Sequence, residues 1–256
     1  MALTLLSQAS GQSAQPTVEL STSKVLTASP GRIGSVNSFP VTIAISPDGH
    51  YAALLNDGYG TAKSKGRQSI AILNLSTSEL KDFPDSRLNT TSHQSYFLGL
   101  AFSSDGRYLY ASVVSLTDPS GSKHGDTGNG IAVYRFDKDK LKAKRFLKIS
   151  PQKLAPGKKV ASALSSVPPG TAIPYPAGLA VVSRQGHDEL LVANDLSDNV
   201  VLIDAESGKT LLQFDLSNHE SVPSSFPYTV VLTRDGRRAW CSLWNASKVA
   251  ELDLMS

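Results

Sequence analysis

The chain repeats itself. Four segments of the 256-residue sequence superpose: Phe39-Pro40-Val41-Thr42-Ile43-Ala44-Ile45-Ser46-Pro47-Asp48-Gly49, Tyr96-Phe97-Leu98-Gly99-Leu100-Ala101-Phe102-Ser103-Ser104-Asp105-Gly106, Tyr175-Pro176-Ala177-Gly178-Leu179-Ala180-Val181-Val182-Ser183-Arg184-Gln185-Gly186 and Phe226-Pro227-Tyr228-Thr229-Val230-Val231-Leu232-Thr233-Arg234-Asp235-Gly236. A repeat constrains the fold more than any local pattern, because each copy takes the same supersecondary form and buries its apolar faces against its neighbours. The third copy carries one extra residue before its glycine.

Each segment reads as a short strand ending in a glycine-containing turn. Ile43, Leu100, Leu179 and Val230 fall on one face, and Ala44, Ala101, Ala180 and Val231 on the other. Both faces are apolar, so both are expected to be buried. Larger residues on one side and mostly small ones on the other suit the inner edge of a sheet packed between two others. Asp48-Gly49, Asp105-Gly106 and Asp235-Gly236 are dipeptides favoured in two-residue hairpins, where positive φ is needed. They predict second strands over 51–55, 108–113 and 238–243, with 190–193 in the third copy. Third strands are predicted over 69–75, 130–136, 199–204 and 248–253, and outer fourth strands over 80–83, 142–149 and 209–216.

The fold class predicted is therefore all-β, a β-propeller of four-stranded antiparallel blades, with four blades at about 37–95, 96–174, 175–224 and 225–256 inside a propeller domain 16–256. A hydrophobic content of 40% supports a substantial core, and a charged content of only 18% fits short strands joined by turns. Cys241 is the only cysteine, so no intrachain disulfide forms; its apolar setting reads as a buried core thiol.

A net charge of +3, spread along the chain, demands no polyanionic partner. The basic run 137–148 straddles a turn and an outer strand, which reads as a lysine-guarded sheet edge rather than a nucleic-acid surface. No stretch approaches the roughly 20 apolar residues of a membrane span. At the N-terminus, Met1-Ala2-Leu3-Thr4-Leu5-Leu6 followed by Ser7-Gln8-Ala9 looks like the end of a signal peptide, although the basic region and most of the apolar core are missing. Residues 1–15 are accordingly read as a signal-peptide remnant or a disordered leader, which favours a periplasmic or secreted location.

Ser46-Pro47-Asp48-Gly49 before a strand, Ile203-Asp204-Ala205-Glu206-Ser207-Gly208-Lys209 at a third-to-fourth-strand turn, and Ala193-Asn194-Asp195 with Asn199-Val200-Val201-Leu202-Ile203-Asp204 resemble the YVTN-type β-propeller repeat. The likeness runs from about Gly31 to Asp253 and is nearest to YncE-like exported propellers, some of which are fused to a C-terminal alkaline-phosphatase-type phosphoesterase domain. It implies seven blades, hence a fragment here whose other blades and any catalytic domain lie beyond Ser256. Residues 18–27 would then supply an outer strand to a final blade, or to the fourth blade if four blades close the ring.

Three long connections, 56–68, 115–129 and 150–174, elaborate one end of the propeller, and loops on a rigid scaffold are where recognition is expected. Asn56-Asp57, Asn194-Asp195 and Trp244-Asn245 are read as equivalent positions just after the second strands, ringing the channel mouth with Tyr96, Tyr175 and Tyr228 at the starts of inner strands. Turn formation by Asn and Asp explains the polar pairs without a ligand. Asp118, His124 and Asp126 could ligate a metal, but their spacing lacks the regularity of good sites, so no metal and no cofactor is assigned.

No local Ser-His-Asp set, phosphate loop or zinc signature occurs. The first reading is an extracytoplasmic binding or scaffolding module, taking a protein or small molecule on the elaborated face. The alternatives are the propeller portion of an exported phosphoesterase, and a lactonase-like or quinoprotein-like propeller enzyme.

Overall fold

The computed structural model describes residues 18–19, 25–26, 34–58, 67–88, 93–161 and 167–255. The chain divides into two units, Met1–Ser35 and Val36–Ser256. In the first, Val18–Glu19 pairs antiparallel with Val25–Leu26. The proposed leader lies outside the described residues.

Among the described residues the second unit holds four antiparallel blade sheets, each built in chain order from the inside outwards, and two smaller two-stranded sheets. Blade 1 consists of Pro40–Ile45, Tyr51–Asn56, Ser69–Asn74 and Leu80–Pro84, and blade 2 of Ser95–Phe102, Tyr108–Val114, Gly130–Asp137 and Lys140–Lys148. Blade 3 consists of Pro176–Arg184, His187–Asn194, Asn199–Asp204 and Thr210–Asp215; blade 4 has three strands, Pro227–Leu232, Arg238–Leu243 and Lys248–Asp253. The arrangement is a propeller, as the repeat predicts. Among the described residues no helix is long and apolar enough to cross a membrane.

The alternation of large and small residues sets the packing order. Leu100 joins the core shared with blade 1, Leu179 the core shared with blade 2, and Val230 the core shared with blade 3. Ala44, Ala101 and Ala180 pack the opposite way, each toward the next blade. The larger residue thus faces the preceding blade and the smaller one the following blade. Ile43 and Val231 depart from the expected burial, being 63% and 60% exposed. Ile43 faces away from blade 2 and Val231 away from blade 3, and among the described residues no blade covers them.

The turns also differ from expectation. In blade 1 the backbone closes between Ser46 N–H and the Tyr51 carbonyl at 2.9 Å, leaving a loop longer than two residues, in which only Gly49 has positive φ. Hydroxyl and carboxylate organise it: the Ser46 hydroxyl donates to Asp48, and Asp48 accepts the His50 N–H. Ser103 with Asp105 and Thr233 with Asp235 repeat the device in blades 2 and 4. The two-residue turn occurs instead in blade 3, at Gln185-Gly186, where φ is 50° and 80° and Arg184 pairs with His187. Positive φ at both central residues is the signature of the hairpin turn whose twist matches its strands.

Cys241 lies in the core between blades 3 and 4 with no exposed surface, and burial pushes its thiol up to about 12. A buried neutral thiol is a poor nucleophile. Thiol-reagent labelling is expected to be negligible in the folded protein and complete in denaturant; rapid native labelling would contradict the packing.

Candidate functional site at the channel mouth

Three starts of inner strands share an uncommon backbone. Phe39, Tyr175 and Phe226 have φ of 59°, 42° and 53°, a region bulky residues rarely adopt. Each carbonyl there accepts a backbone N–H from the residue just beyond its second strand: Asp57 at 3.1 Å, Asp195 at 3.0 Å and Trp244 at 3.2 Å. Asp57, Asp195 and Trp244 are therefore equivalent. This corrects the sequence register by one residue in blade 4, where Leu243 pairs with Pro227 as Asn194 pairs with Pro176 and Asn56 with Pro40. Asn245 lies one residue further on and donates to the Ser224 carbonyl at 2.9 Å, closing its own loop.

Asn56 and Asn194 end the second strands rather than following them, and both are fully buried. Asn56 donates to the Ser69 hydroxyl at 3.2 Å; Asn194 donates at 3.0 Å to Asn199, which donates at 3.1 Å to Gln152. They tie second strands to third strands. Each leaves a buried side-chain carbonyl without a partner.

Tyr96 is also corrected. Ser95 and Tyr96 extend the blade 2 ladder by pairing with Val114 and Val113, which turns the Tyr96 ring into the core between blades 1 and 2. Its hydroxyl meets that of Tyr134 at 2.6 Å, and Tyr134 in turn donates to Asp85, which Arg87 holds. Phe97 takes its place at the mouth, with ring centroids 5.4 Å from Tyr175 and 5.9 Å from Tyr228. The available signal is positional: Phe97 stands three residues before Leu100, as Pro176 stands before Leu179.

The mouth thus gathers Phe97, Tyr175, Tyr228 and Trp244 with two carboxyls. Burial raises Asp57 to about 7, and one of its oxygens has no partner. Asp195 is raised to about 6, first by burial and then by the charge of Asp198, against the Trp244 indole N–H that donates to it at 3.4 Å. Burial raises the Tyr175 and Tyr228 hydroxyls, and the charges of both Asp195 and Asp57 add to that. Blades 1, 3 and 4 therefore bring their groups within electrostatic reach of one another. Asp198 positions this end by accepting from Ser224, Ser225 and Phe226 N–H groups and the Ser224 hydroxyl.

Of the long connections, residues 59–66 and 162–166 lie outside the described residues. Gln94 accepts from Thr127 and Gly128 N–H within 115–129, and in 150–174 Lys159–Val160 pairs in parallel with Ser221–Val222, just before blade 4. Asp118 is engaged by Ser122 and Lys123 N–H, and Asp126 by His93 at 2.8 Å. Among the described residues no group of three or more His, Cys, Asp or Glu side chains is arranged to hold a metal.

No protein-family model matches the sequence, and no curated protein matches it. Solved structures do share its fold. Hydrazine synthase of Kuenenia stuttgartiensis is 13% identical, with a TM-score of 0.57 over 84% of this chain and 58% of that one. A protein of Bacteroides uniformis assigned as a 6-phosphogluconolactonase is 14% identical, with a TM-score of 0.54 over 91% and 57%. The periplasmic gluconolactonase of Pseudomonas aeruginosa is 17% identical, with a TM-score of 0.52 over 90% and 60%. The fold is a β-propeller, which these three proteins share in shape. This chain spans 57–60% of the length of these three.

Proposed function

We propose that the channel mouth binds a hydroxyl-rich small molecule, a sugar or sugar acid. The observation that carries this reading is the meeting of two carboxyls whose ionisation burial opposes, Asp57 and Asp195, with the rings of Tyr175, Tyr228 and Trp244. Carboxyls that switch between donor and acceptor suit hydroxyls, and aromatic rings offer apolar faces to the C–H side of a sugar. The lactonase-type proteins sharing the fold support sugar acids and their lactones as first ligands to try. An exported setting belongs to the same proposal and rests on the likeness of the N-terminal segment to a signal peptide.

Lactone hydrolysis is the second reading, favoured by the presence at one mouth of two carboxyls that burial raises, Asp57 and Asp195. One carboxyl in its ionised form would take a proton from the attacking water, and the other, protonated, would give one to the leaving ring oxygen. The water oxygen bonds the carbonyl carbon as the ester C–O bond breaks, leaving a carboxyl and a hydroxyl, and the rate is expected to fall on either side of a pH maximum.

Calorimetric titration with glucose and gluconate, and base consumption with gluconolactone, test both readings. Asp57→Asn and Asp195→Asn are expected to weaken binding about tenfold each, the size of one lost hydrogen bond to a charged or polar partner. Heat-silent titrations with both sugars would overturn the binding reading. A lactone rate equal to the spontaneous one would overturn the catalytic reading.

A further inference from the structure

At the junction between blades 2 and 3 the chain departs from its own repeat, and a cavity lies there. Tyr108, Tyr110, Arg145, Asp188 and Ala205 help line a space of about 270 Å³ beside the inner-strand turns, at the end opposite the channel mouth. That volume suits a small metabolite rather than a drug-sized ligand. Tyr110 pairs with Ala101 in its blade, and the same ladder position holds Ala53 in blade 1 and Leu191 in blade 3. A phenol thus stands where the neighbouring blades have aliphatic side chains. Asp188 stands three residues before Leu191, an offset at which the other blades carry His50, Arg107 and Arg237.

The polar groups of this cavity are not spent on one another. Tyr110 is 2% exposed, yet its hydroxyl meets no hydrogen-bond partner among the described residues. Burial raises that hydroxyl, the charge of Asp188 adds to the rise and that of Arg145 opposes it, so both charges act on it. Arg145 lies over the Tyr108 ring at 5.7 Å and donates to the Ala205 carbonyl at 2.8 Å, but its Nε has no partner. Asp188 accepts the Ser104 N–H at 3.0 Å through one oxygen, and its other oxygen has none. Among the described residues no ion pair joins the two charges. Buried polar groups left unmet cost free energy, and charged ones cost most.

We propose that the cavity between blades 2 and 3 binds a small free α-amino acid, with its carboxylate on Arg145 and its ammonium on Asp188. The Tyr110 hydroxyl donates to the same carboxylate, and the Tyr108 ring gives an apolar wall to a short side chain. Opposite charges on one cavity select a zwitterion: a simple anion would leave Asp188 unmet and be repelled by it, and a simple cation would do the same at Arg145. The site is independent of the sugar reading at the mouth.

Calorimetric titration of this chain with alanine, propionate and ethylamine tests the proposal, because the last two are alanine without its ammonium and without its carboxylate. Alanine is expected to bind about tenfold more tightly than either, or better. Tyr110→Phe removes one oxygen and keeps the ring, and is expected to weaken alanine about fivefold; Asp188→Asn, which keeps an acceptor for Ser104, is expected to weaken it about thirtyfold. Thermal melts matching the wild type show that both variants are folded. Absence of saturable binding by alanine, glycine and serine overturns the proposal. Propionate or ethylamine binding as tightly as alanine overturns it too, because one charge would then suffice. An alanine affinity unchanged in both variants would place the binding elsewhere and overturn the assignment to this cavity.

Discussion

Gly178→Ala is expected to destabilise the protein by about 2–3 kcal/mol, the range of overpacking substitutions. A Cβ at this position would lie 2.6 Å from the Tyr228 carbonyl oxygen and 2.8 Å from the Thr229 Cα. Both are backbone atoms of the adjacent blade's inner strand, so relief requires blade 4 to move away from blade 3. The φ of Gly178 is not in the left-handed region, and the cost is therefore steric. Gly99 repeats the situation one junction earlier, with the Ala177 carbonyl at 2.6 Å. Inner strands of blades 2, 3 and 4 thus approach so closely that two of them exclude a side chain, which sets how tightly the mouth groups converge. Gly157→Ala is the control: it has φ of +80° and open space, so only the conformational cost of about 1 kcal/mol applies. Urea titration measures both. A Gly178→Ala midpoint matching the wild type would mean that the blades are not in this contact.

What could be read from the sequence was what is local. Strand alternation and turn glycines depend on residues close in the chain, and they placed all four inner strands, including Leu100, Leu179 and Val230 on their buried faces. Ile43 and Val231 carry the same pattern yet stand exposed, since burial of a blade face depends on a neighbouring sheet that periodicity does not encode. The turn geometry was missed for a related reason: Ser46 and Thr233 hydroxyls compete for the backbone and open the Asp-Gly loops beyond two residues. At the mouth, recurrence after the second strands points to Asp57, Asp195 and Trp244, and position at inner-strand entries to Tyr175 and Tyr228; the Trp244 indole reaches Asp195, and the charges of Asp57 and Asp195 act on both tyrosines. Asn56, Asn194 and Tyr96 do not join them, because ladder register assigns them to internal bonds. Beyond its offset from Leu100, Phe97 carries no such signal in the sequence, since its place beside Tyr175 and Tyr228 depends on the ladder register of blade 2.

Raising the pH from 4 to 8 is expected to destabilise the wild type, and Asp57→Asn is expected to remove most of that loss. Asp57 sits at about 7 in the fold against 3.8 for the free group, and Asp195 at about 6. Between 3.8 and those values the folded state holds protons that the unfolded chain has released, so stability falls as pH rises. The loss begins near pH 4 and is complete once pH exceeds about 7. The full displacement of Asp57 corresponds to about 4 kcal/mol, and about 2–3 kcal/mol after discounting for screening by solvent near the open mouth. Asparagine keeps the shape and removes the ionisation, so the variant should match the wild type near pH 4 and exceed it near pH 8. This is the opposite of the usual acid-labile carboxylate, whose ionised form the fold stabilises, as Arg87 does for Asp85. A ligand whose hydroxyl donates to the Asp57 carboxylate would favour the ionised form, bring its folded value down toward 3.8 and so shrink the loss, and bound sugar should therefore steady the protein most above pH 7. Urea midpoints of wild type and Asp57→Asn at both pH values, with and without gluconate, separate the two effects. Equal pH profiles for the two proteins would mean that the Asp57 carboxyl is solvated, and the mouth would then lack the desolvated acid on which its proposed chemistry depends.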